Sequence, residues 1–317
     1  MSADHPTPHV APTSPTERAR PEGLSPPHDV APGVDPSTLL AVLRALLTRL
    51  REMAPTSSDI NGHIGGKNTL ETLFGWRDYI HSHESDDSEP LLSIVLLVQS
   101  ASRSQVSDAL VALDAQSSRN FELIVVPGAV VDLVSIEELL APFSSGLATC
   151  ARIVEESSRA ATRKAALSAG LAAARGRWVT FLDATSIVFG HFVATFADLS
   201  QASPAAVLRA RALSQPLREM TWPDGHSGYE PLGGAMPASE PYFSVIKHLE
   251  HLGHSGSTDS HGSPPGSYAL RRRDVDLLGL HDDDDQLLLE AAILGGVHDA
   301  PDDVVVLLHH FVESDLE

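Results

Sequence analysis

The stretch GLAAARGRWVTFLDATSIVF, residues 170–189, decides the fold of this chain. An alanine-rich helical pattern ends before Gly176, which breaks it, and the mostly apolar run Trp178–Leu182 then has strand-forming character. Asp183 directly follows that run and therefore lies at the end of a predicted strand. Ligands of open α/β sheets bind at the carboxyl ends of the strands, so Asp183 is a candidate site residue.

The region before this stretch alternates strand and helix patterns, which indicates parallel βαβ units. The apolar run Leu91–Val98 predicts a strand buried on both faces, Phe121–Val126 predicts a second strand, and Ala151–Val154 predicts an edge strand. The segments between these strands have apolar residues at helical spacing, and Ala160–Arg175 predicts a helix of high propensity. The predicted fold class is α/β, with a mostly parallel sheet sandwiched by helices.

The region after this stretch predicts three more helices, at Phe192–Leu199, Pro241–Leu252 and Leu287–Leu294, and three more strands, at Ala205–Ala210, Ser267–Leu270 and Asp303–Leu308. Residues 214–236 are rich in Pro and Gly and predict irregular structure.

The N-terminal third differs in composition from the rest. Residues 1–35 are rich in Pro, Ser, Thr and His with few large apolar side chains, which predicts a disordered tail. Residues 36–90 predict two amphipathic helices and an acidic linker, His83–Pro90. The main domain is expected to span residues 91–314.

The composition excludes several classes of function. A formal charge of −20 over 317 residues makes nucleic acid an unlikely partner, because phosphate binding needs clustered Lys and Arg. The single cysteine, Cys150, excludes an internal disulfide and a cysteine-rich zinc module. The chain has neither a secretory leader pattern nor an apolar run long enough for a transmembrane segment, so we expect a cytoplasmic protein.

Several motifs together resemble family-two glycosyltransferases of the GT-A fold. The segment AALSAGLAAARGRWVTFLDATS stands in the frame of that family's A-R-N-x-G-L-x-x-A-x-G-x-Y-V-x-F-L-D-x-D-D, and FELIVV is similar to its F-E-I-I-V-V. Residues 283–295, DDDQLLLEAAILG, align without gaps with E-D-x-x-L-L-L-R-A-A-x-x-G. The resemblance covers roughly residues 91–314. It implies a GT-A-like fold and transfer of a sugar from a nucleotide-sugar donor to an acceptor hydroxyl with inversion.

The resemblance also implies a donor site. Asp183 corresponds to the first acid of the D-x-D signature, which faces the donor and its Mg²⁺ or Mn²⁺, while Thr185 replaces the second acid. Gln99 stands at the nucleotide-facing end of the first strand, and Asp132 is a candidate substitute from the loop after the second. His309 or His310 falls where the family often has an Arg or His near the pyrophosphate, and His309 is a second candidate metal ligand beside Asp183.

Asp284 corresponds to the family's general base, which takes the proton of the acceptor hydroxyl. A carboxylate at a helix N-terminus is competent for that role and contributes about 10²- to 10⁴-fold to such a rate. The alternative is that the four consecutive acids Asp282–Asp285 only cap and solvate a helix.

Two further interpretations remain open. The replaced donor-site residues also fit a catalytically degenerate relative that acts as a binding or partner-stabilising module. A relative that binds nucleotide without metal would need at least one cation near Asp183, and the candidates are Arg103, Arg159, Arg163 and Lys164.

Overall fold

The computed structural model describes residues 90–99, 101–128, 133–143, 145–154, 162–203, 205–221, 227–239, 264–278, 287–288, 291–292 and 295–311. The predicted tail, the two N-terminal helices and the predicted helix at Pro241–Leu252 lie outside these residues.

Three parallel strands form the centre of the sheet, as the continuous apolar runs predicted. Strand β1 is Leu92–Val98, β2 is Phe121–Pro127 and β4 is Trp178–Asp183. β1 pairs in parallel with β2 on one side and with β4 on the other. Every residue of β1 and β2 is buried, because helices cover both faces of the sheet.

The helices begin at identifiable capping residues. Helix α1, Arg103–Asp114, starts with a capping box in which Ser102 and Gln105 satisfy each other's backbone N–H groups. Helix α3, Arg163–Ala173, is capped by Thr162, whose side chain accepts from the backbone N–H of Ala165. The other helices are α2, Leu133–Leu140; α4, Phe192–Ala202; and α5, Arg272–Leu278.

Over the described residues the sheet is mixed: its longest pairings are parallel, and the antiparallel pairings are shorter. The remaining strands are β3, Ala151–Ile153; β5, Ser186–Val188; β6, Val207–Thr221; β7, Ser227–Pro231; β8, Met236–Pro237; β9, Tyr268–Arg271; and β10, Val297–Phe311. The strand order of the sheet is β3-β2-β1-β4-β9-β6-β10-β5, with β7 and β8 pairing onto β6. β3 lies at the edge, as expected. β6 and β10 are parallel, while β9 is antiparallel to both β4 and β6.

Two apolar layers hold the helices to the sheet. One contains α1, α4 and side chains of β1 such as Ile94 and Leu96. The other contains α3 and the alternate β1 side chains Val95 and Leu97. The sheet is therefore sandwiched by helices, which confirms the α/β prediction. Trp178 is 1% exposed and belongs to the core.

One segment was predicted wrongly. Residues 214–236 were expected to be irregular, but β6 continues to Thr221 and pairs with β7 in a hairpin. Pairing with β10 on the other side of β6 supplies hydrogen-bond partners that the Pro- and Gly-rich composition does not reveal. β5 and α5 also form where the sequence pattern predicted nothing.

A buried polar network joins β1, β2, β3 and the end of α3. Ser93 Oγ donates to Glu122 Oε1 over 2.6 Å, and the backbone N–H groups of Arg175 and Gly176 donate to the same oxygen. Arg152 Nη2 donates to Glu122 Oε2. Burial opposes ionisation of this carboxyl, but these hydrogen bonds and the Arg152 charge outweigh it, so the pKa of Glu122 is lowered.

Helices able to cross a bilayer need both length and a low charge content. Among the described residues, no helix combines the length and the apolar character that a transmembrane span requires.

Candidate functional site

The carboxyl end of β4 carries an ion pair. Asp183 is the last residue of β4, and Arg163 is the first residue of α3. Arg163 Nη1 donates to Asp183 Oδ1 over 2.8 Å, and the two side chains are 37% and 35% exposed. Arg163, one of the four candidate cations from the sequence analysis, thus contacts Asp183. Arg103 instead pairs with Glu138, which joins α1 to α2. Arg159 lies outside the described residues.

β1 and β2 end at the same edge of the sheet as β4. Asp183 is in register with Leu97, and Val98 is in register with Pro127. The next residue, Gly128, donates its N–H to the Val98 carbonyl over 2.7 Å. A Cβ at position 128 would lie 3.0 Å from the Gln99 backbone, so glycine allows the ends of β1 and β2 to approach closely.

Gln99 directly follows β1 at this edge. Its Nε2 atom is buried, and no acceptor contacts it within the part of the chain that the structure describes. A buried donor without an acceptor is costly, which makes Gln99 a candidate ligand contact.

Thr185 and His309 meet across the other side of the β4 end. β5 pairs antiparallel with β10 so that Ser186 faces Leu308, and the next pair outward brings Thr185 towards His309. His309 is also in register with Gln215 of the parallel strand β6. The three polar side chains therefore form a row across neighbouring strands.

This row lines a cleft of about 410 Å³. Its walls are the first two turns of α1 on one side and the β6–β7 hairpin on the other. The Ser102 and Tyr229 hydroxyls join the two walls over 3.2 Å. The lining residues are Ser104, Gln105, Asp108, Ala184, Thr185, Ile187, Gln215, Leu217, Gly228, Tyr229, Pro231 and His309. Ala184 and Thr185 directly follow Asp183, so the cleft adjoins the ion pair.

The surroundings of His309 lower its pKa and so favour the neutral imidazole. Burial lowers the pKa of this imidazole; the Asp108 carboxylate raises it and His310 lowers it, and the net shift is downward. A neutral imidazole donates through one nitrogen and accepts through the other. His309 can therefore hydrogen-bond a hydroxyl group in the cleft near neutral pH.

The residues at the β4 end do not fit a divalent metal site of the D-x-D type. Asp183 is paired with Arg163, and the neutral Thr185 replaces the second acid. Within the described ranges, no group of three or more His, Cys, Asp and Glu side chains could hold a metal ion. Mg²⁺ and Mn²⁺ prefer carboxylate oxygens, which these residues supply poorly.

The structure brings some predicted site residues together. Asp183 and Gln99 lie at neighbouring strand ends, and Thr185 and His309 line one cleft. Asp132 and Asp284 lie outside the described residues, so their roles stay predictions.

Sequence reasoning missed Asp108 and Gln215. Asp108 lies on α1 outside the buried stripe of Val106, Ala109 and Leu110, and it lines the cleft. Its place outside that stripe predicts only that its side chain is exposed, which does not identify a site residue. Gln215 stood in the segment predicted to be irregular.

Comparisons with known proteins give structural likeness only. No protein-family model matches the sequence, and no curated protein matches it. Residues 1–349 of S. aureus TarS, also solved with UDP-GlcNAc, superpose with a TM-score of 0.49 at 12% identity, over 69% of this chain and 60% of that one. This chain thus spans less than two thirds of that protein.

Two further solved structures are similar at the same level. Mannosyltransferase PcManGT from Pyrobaculum calidifontis, with GDP-Man and Mn²⁺, gives a TM-score of 0.46 at 17% identity over 87% of this chain and 70% of that one. GalNAc-T7 with UDP, GalNAc and Mn²⁺ gives 0.46 at 15% identity over 72% of this chain and 45% of that one. At such low identity, none of these proteins' ligands transfers to this chain.

Proposed function

We propose that this chain is a GT-A-like glycosyltransferase, similar to family two, that transfers a sugar from a nucleotide-sugar donor to an acceptor hydroxyl with inversion. One observation carries the proposal: the charged pair at the end of β4 adjoins a cleft lined by hydroxyl, amide and imidazole groups. Ligands of α/β sheets bind at this edge, and a cleft with a few convergent polar groups is the usual form of a small-molecule site.

The donor is proposed to lie across the carboxyl ends of β1, β2 and β4. Gln99 supplies a buried amide donor there, Asp183 is the last residue of β4, and Thr185 lies two residues later. Asp132, which lies between β2 and α2 in the sequence, is proposed as a further contact to the nucleotide.

The cleft is proposed to receive the reacting sugar and the acceptor. Tyr229 and Leu217 offer apolar surface for a sugar ring, and Gln215 and His309 offer hydrogen bonds for its hydroxyl groups. This mixed lining suits a carbohydrate better than a purely apolar ligand.

In the proposed reaction, the acceptor oxygen attacks the anomeric carbon and forms the new C–O bond. The bond between that carbon and the diphosphate oxygen breaks, and the nucleoside diphosphate leaves with the electron pair. The acceptor proton passes to the Asp284 carboxylate, which is the proposed general base. The cytoplasmic location and the domain bounds at residues 91–314 remain part of this proposal.

The proposal is tested by donor turnover in the full-length chain. We expect release of UDP or GDP from one member of a panel of nucleotide sugars, stimulated by an acceptor glycan mixture. Asp284→Asn should lower the rate by about 10²- to 10⁴-fold while the affinity for the nucleotide stays unchanged. Asp282→Asn, a neighbouring acid outside the aligned pair, is the matched control and should retain activity.

Two results would count against the proposal. Equal loss in Asp282→Asn and Asp284→Asn would remove Asp284 as the base. A folded protein that neither binds nor turns over any donor would favour the degenerate, partner-stabilising module instead.

A further inference from the structure

We propose that Arg163 takes the place of a divalent metal, so that this chain binds the diphosphate of its donor without a metal ion. The inference rests on the proposed function, because it concerns the same nucleotide site. It is drawn from the ion pair at the end of β4 and from the poor fit of that site to Mg²⁺ or Mn²⁺.

The geometry places a cation where a ligand can reach it. Arg163 Nη1 is 2.8 Å from Asp183 Oδ1, and more than a third of each side chain is exposed. A guanidinium has five N–H donors in a planar fork, so it can bind a phosphate while it remains bound to a carboxylate. Asp183 is then a positioning residue that orients the guanidinium.

The local sequence favours anion binding over helix stability. Arg163 and Lys164 are the first two residues of α3, and no acid lies in its first turn. The helix dipole disfavours cations at this end and favours anions. Two cations therefore lie at the start of α3 in a chain of net charge −20, and the first of them contacts the end of β4.

The same pair competes with metal binding. A metal ligand must offer its lone pairs to the ion, but Asp183 Oδ1 already accepts from Arg163. Thr185, two residues later, has no charge to add. A bound Mn²⁺ would have to displace the guanidinium or share the carboxylate with it, and repulsion between the two positive charges opposes such sharing.

A metal-binding role for Asp183 and a diphosphate-binding role for Arg163 predict opposite effects of Asp183→Asn on nucleotide affinity. If Asp183 were a metal ligand, Asp183→Asn would remove nucleotide binding. If Arg163 binds the diphosphate, Asp183→Asn removes a carboxylate that repels the phosphates, and the asparagine oxygen still accepts from Arg163. The affinity should then be retained or increased.

The experiment is calorimetric titration of the full-length chain with UDP and with GDP, in EDTA and separately in MnCl₂. We expect one nucleotide to bind in EDTA, with an affinity that Mn²⁺ changes little. Arg163→Ala should weaken binding roughly tenfold or more, and Arg163→Lys should weaken it less because the charge remains.

Arg119→Ala is the matched control. Arg119 forms a comparable half-exposed pair with Asp114 at the end of α1, over 3.2 Å, and it does not line the cleft. This variant should bind nucleotide like the wild type. Circular dichroism of each variant establishes that it is folded.

The outcomes separate the two proposals. Binding that requires Mn²⁺ and is lost in Asp183→Asn overturns the role given to Arg163 and leaves the glycosyltransferase proposal standing. Binding in EDTA that Arg163→Ala does not weaken also overturns it. No binding of either nucleotide under any condition, by a folded protein, rejects the proposed function and this inference with it.

Discussion

Glu122→Gln should destabilise the fold strongly, because Glu122 is a shared acceptor at the junction of β1, β2, β3 and α3. Its side chain is 10% exposed, and its two oxygens accept from Ser93, Arg175, Gly176 and Arg152. The glutamine NH₂ replaces one of these oxygens and therefore faces at least one buried donor. It also leaves the Arg152 charge without its partner.

The magnitude follows from these contacts. Losing a charge-assisted hydrogen bond and leaving a buried donor unpaired costs about 2–4 kcal/mol. For a domain of this size that corresponds to a fall in Tm of about 4–16 °C. Thermal unfolding followed by circular dichroism measures it. Glu138→Gln is the control, because its pair with Arg103 is more than half exposed and is worth less than about 1 kcal/mol.

The effect should depend on pH. Folded Glu122 has a lowered pKa, so it binds its proton less tightly than the unfolded chain does. Its contribution is therefore complete above the ordinary glutamate pKa and is lost as the pH falls through the folded value. The difference in the free energy of unfolding between wild type and Glu122→Gln should therefore be smaller at about pH 4 than at about pH 7.5. A gap below about 0.5 kcal/mol at neutral pH, or one independent of pH, would refute this reasoning.

Two further predictions concern packing and the cleft. Gly170→Ala should cost about 1–3 kcal/mol, since a Cβ there would lie 2.3 Å from Val95 Cγ1. Gly233→Ala, with no atom within 4 Å of its new Cβ, should leave the Tm unchanged, and equal Tm values for both variants would contradict the packing described. Asp108→Asn should lower the pKa of His309 further, because it removes the charge that raises it. NMR titration of the imidazole measures this, and an unchanged or higher pKa would show that Asp108 does not act on His309.

Local pattern determined the elements whose side chains are buried on both faces or along one helical stripe. The runs of β1, β2 and β4 are mostly apolar, so their burial follows from composition. α1 and α3 likewise carry apolar residues at helical spacing and start at Ser or Thr caps. The position of Asp183 at a strand end followed directly from these patterns.

Only the tertiary structure decided the extent of β6 and β10. β10 begins at Val297, six residues before its predicted start, and it passes through a bulge between Ala300 and Val304. Its polar beginning forms a strand because β6 supplies the hydrogen-bond partners, and such cross-strand pairing has no local signature. The cleft lies beside this long pair, so its Gln215 could not be found from the sequence.

The candidate site divides in the same way. The sequence by itself determined that Asp183 ends a strand, that Thr185 replaces an acid, and that cations lie near the start of the helix before that strand. It did not determine that Arg163, twenty residues before Asp183, lies 2.8 Å from it. That contact depends on how α3 packs across β1 and β2, where Gly170 meets Val95. Packing of this kind is set by the shapes of side chains that are distant in sequence, and therefore only the folded chain shows which charges meet.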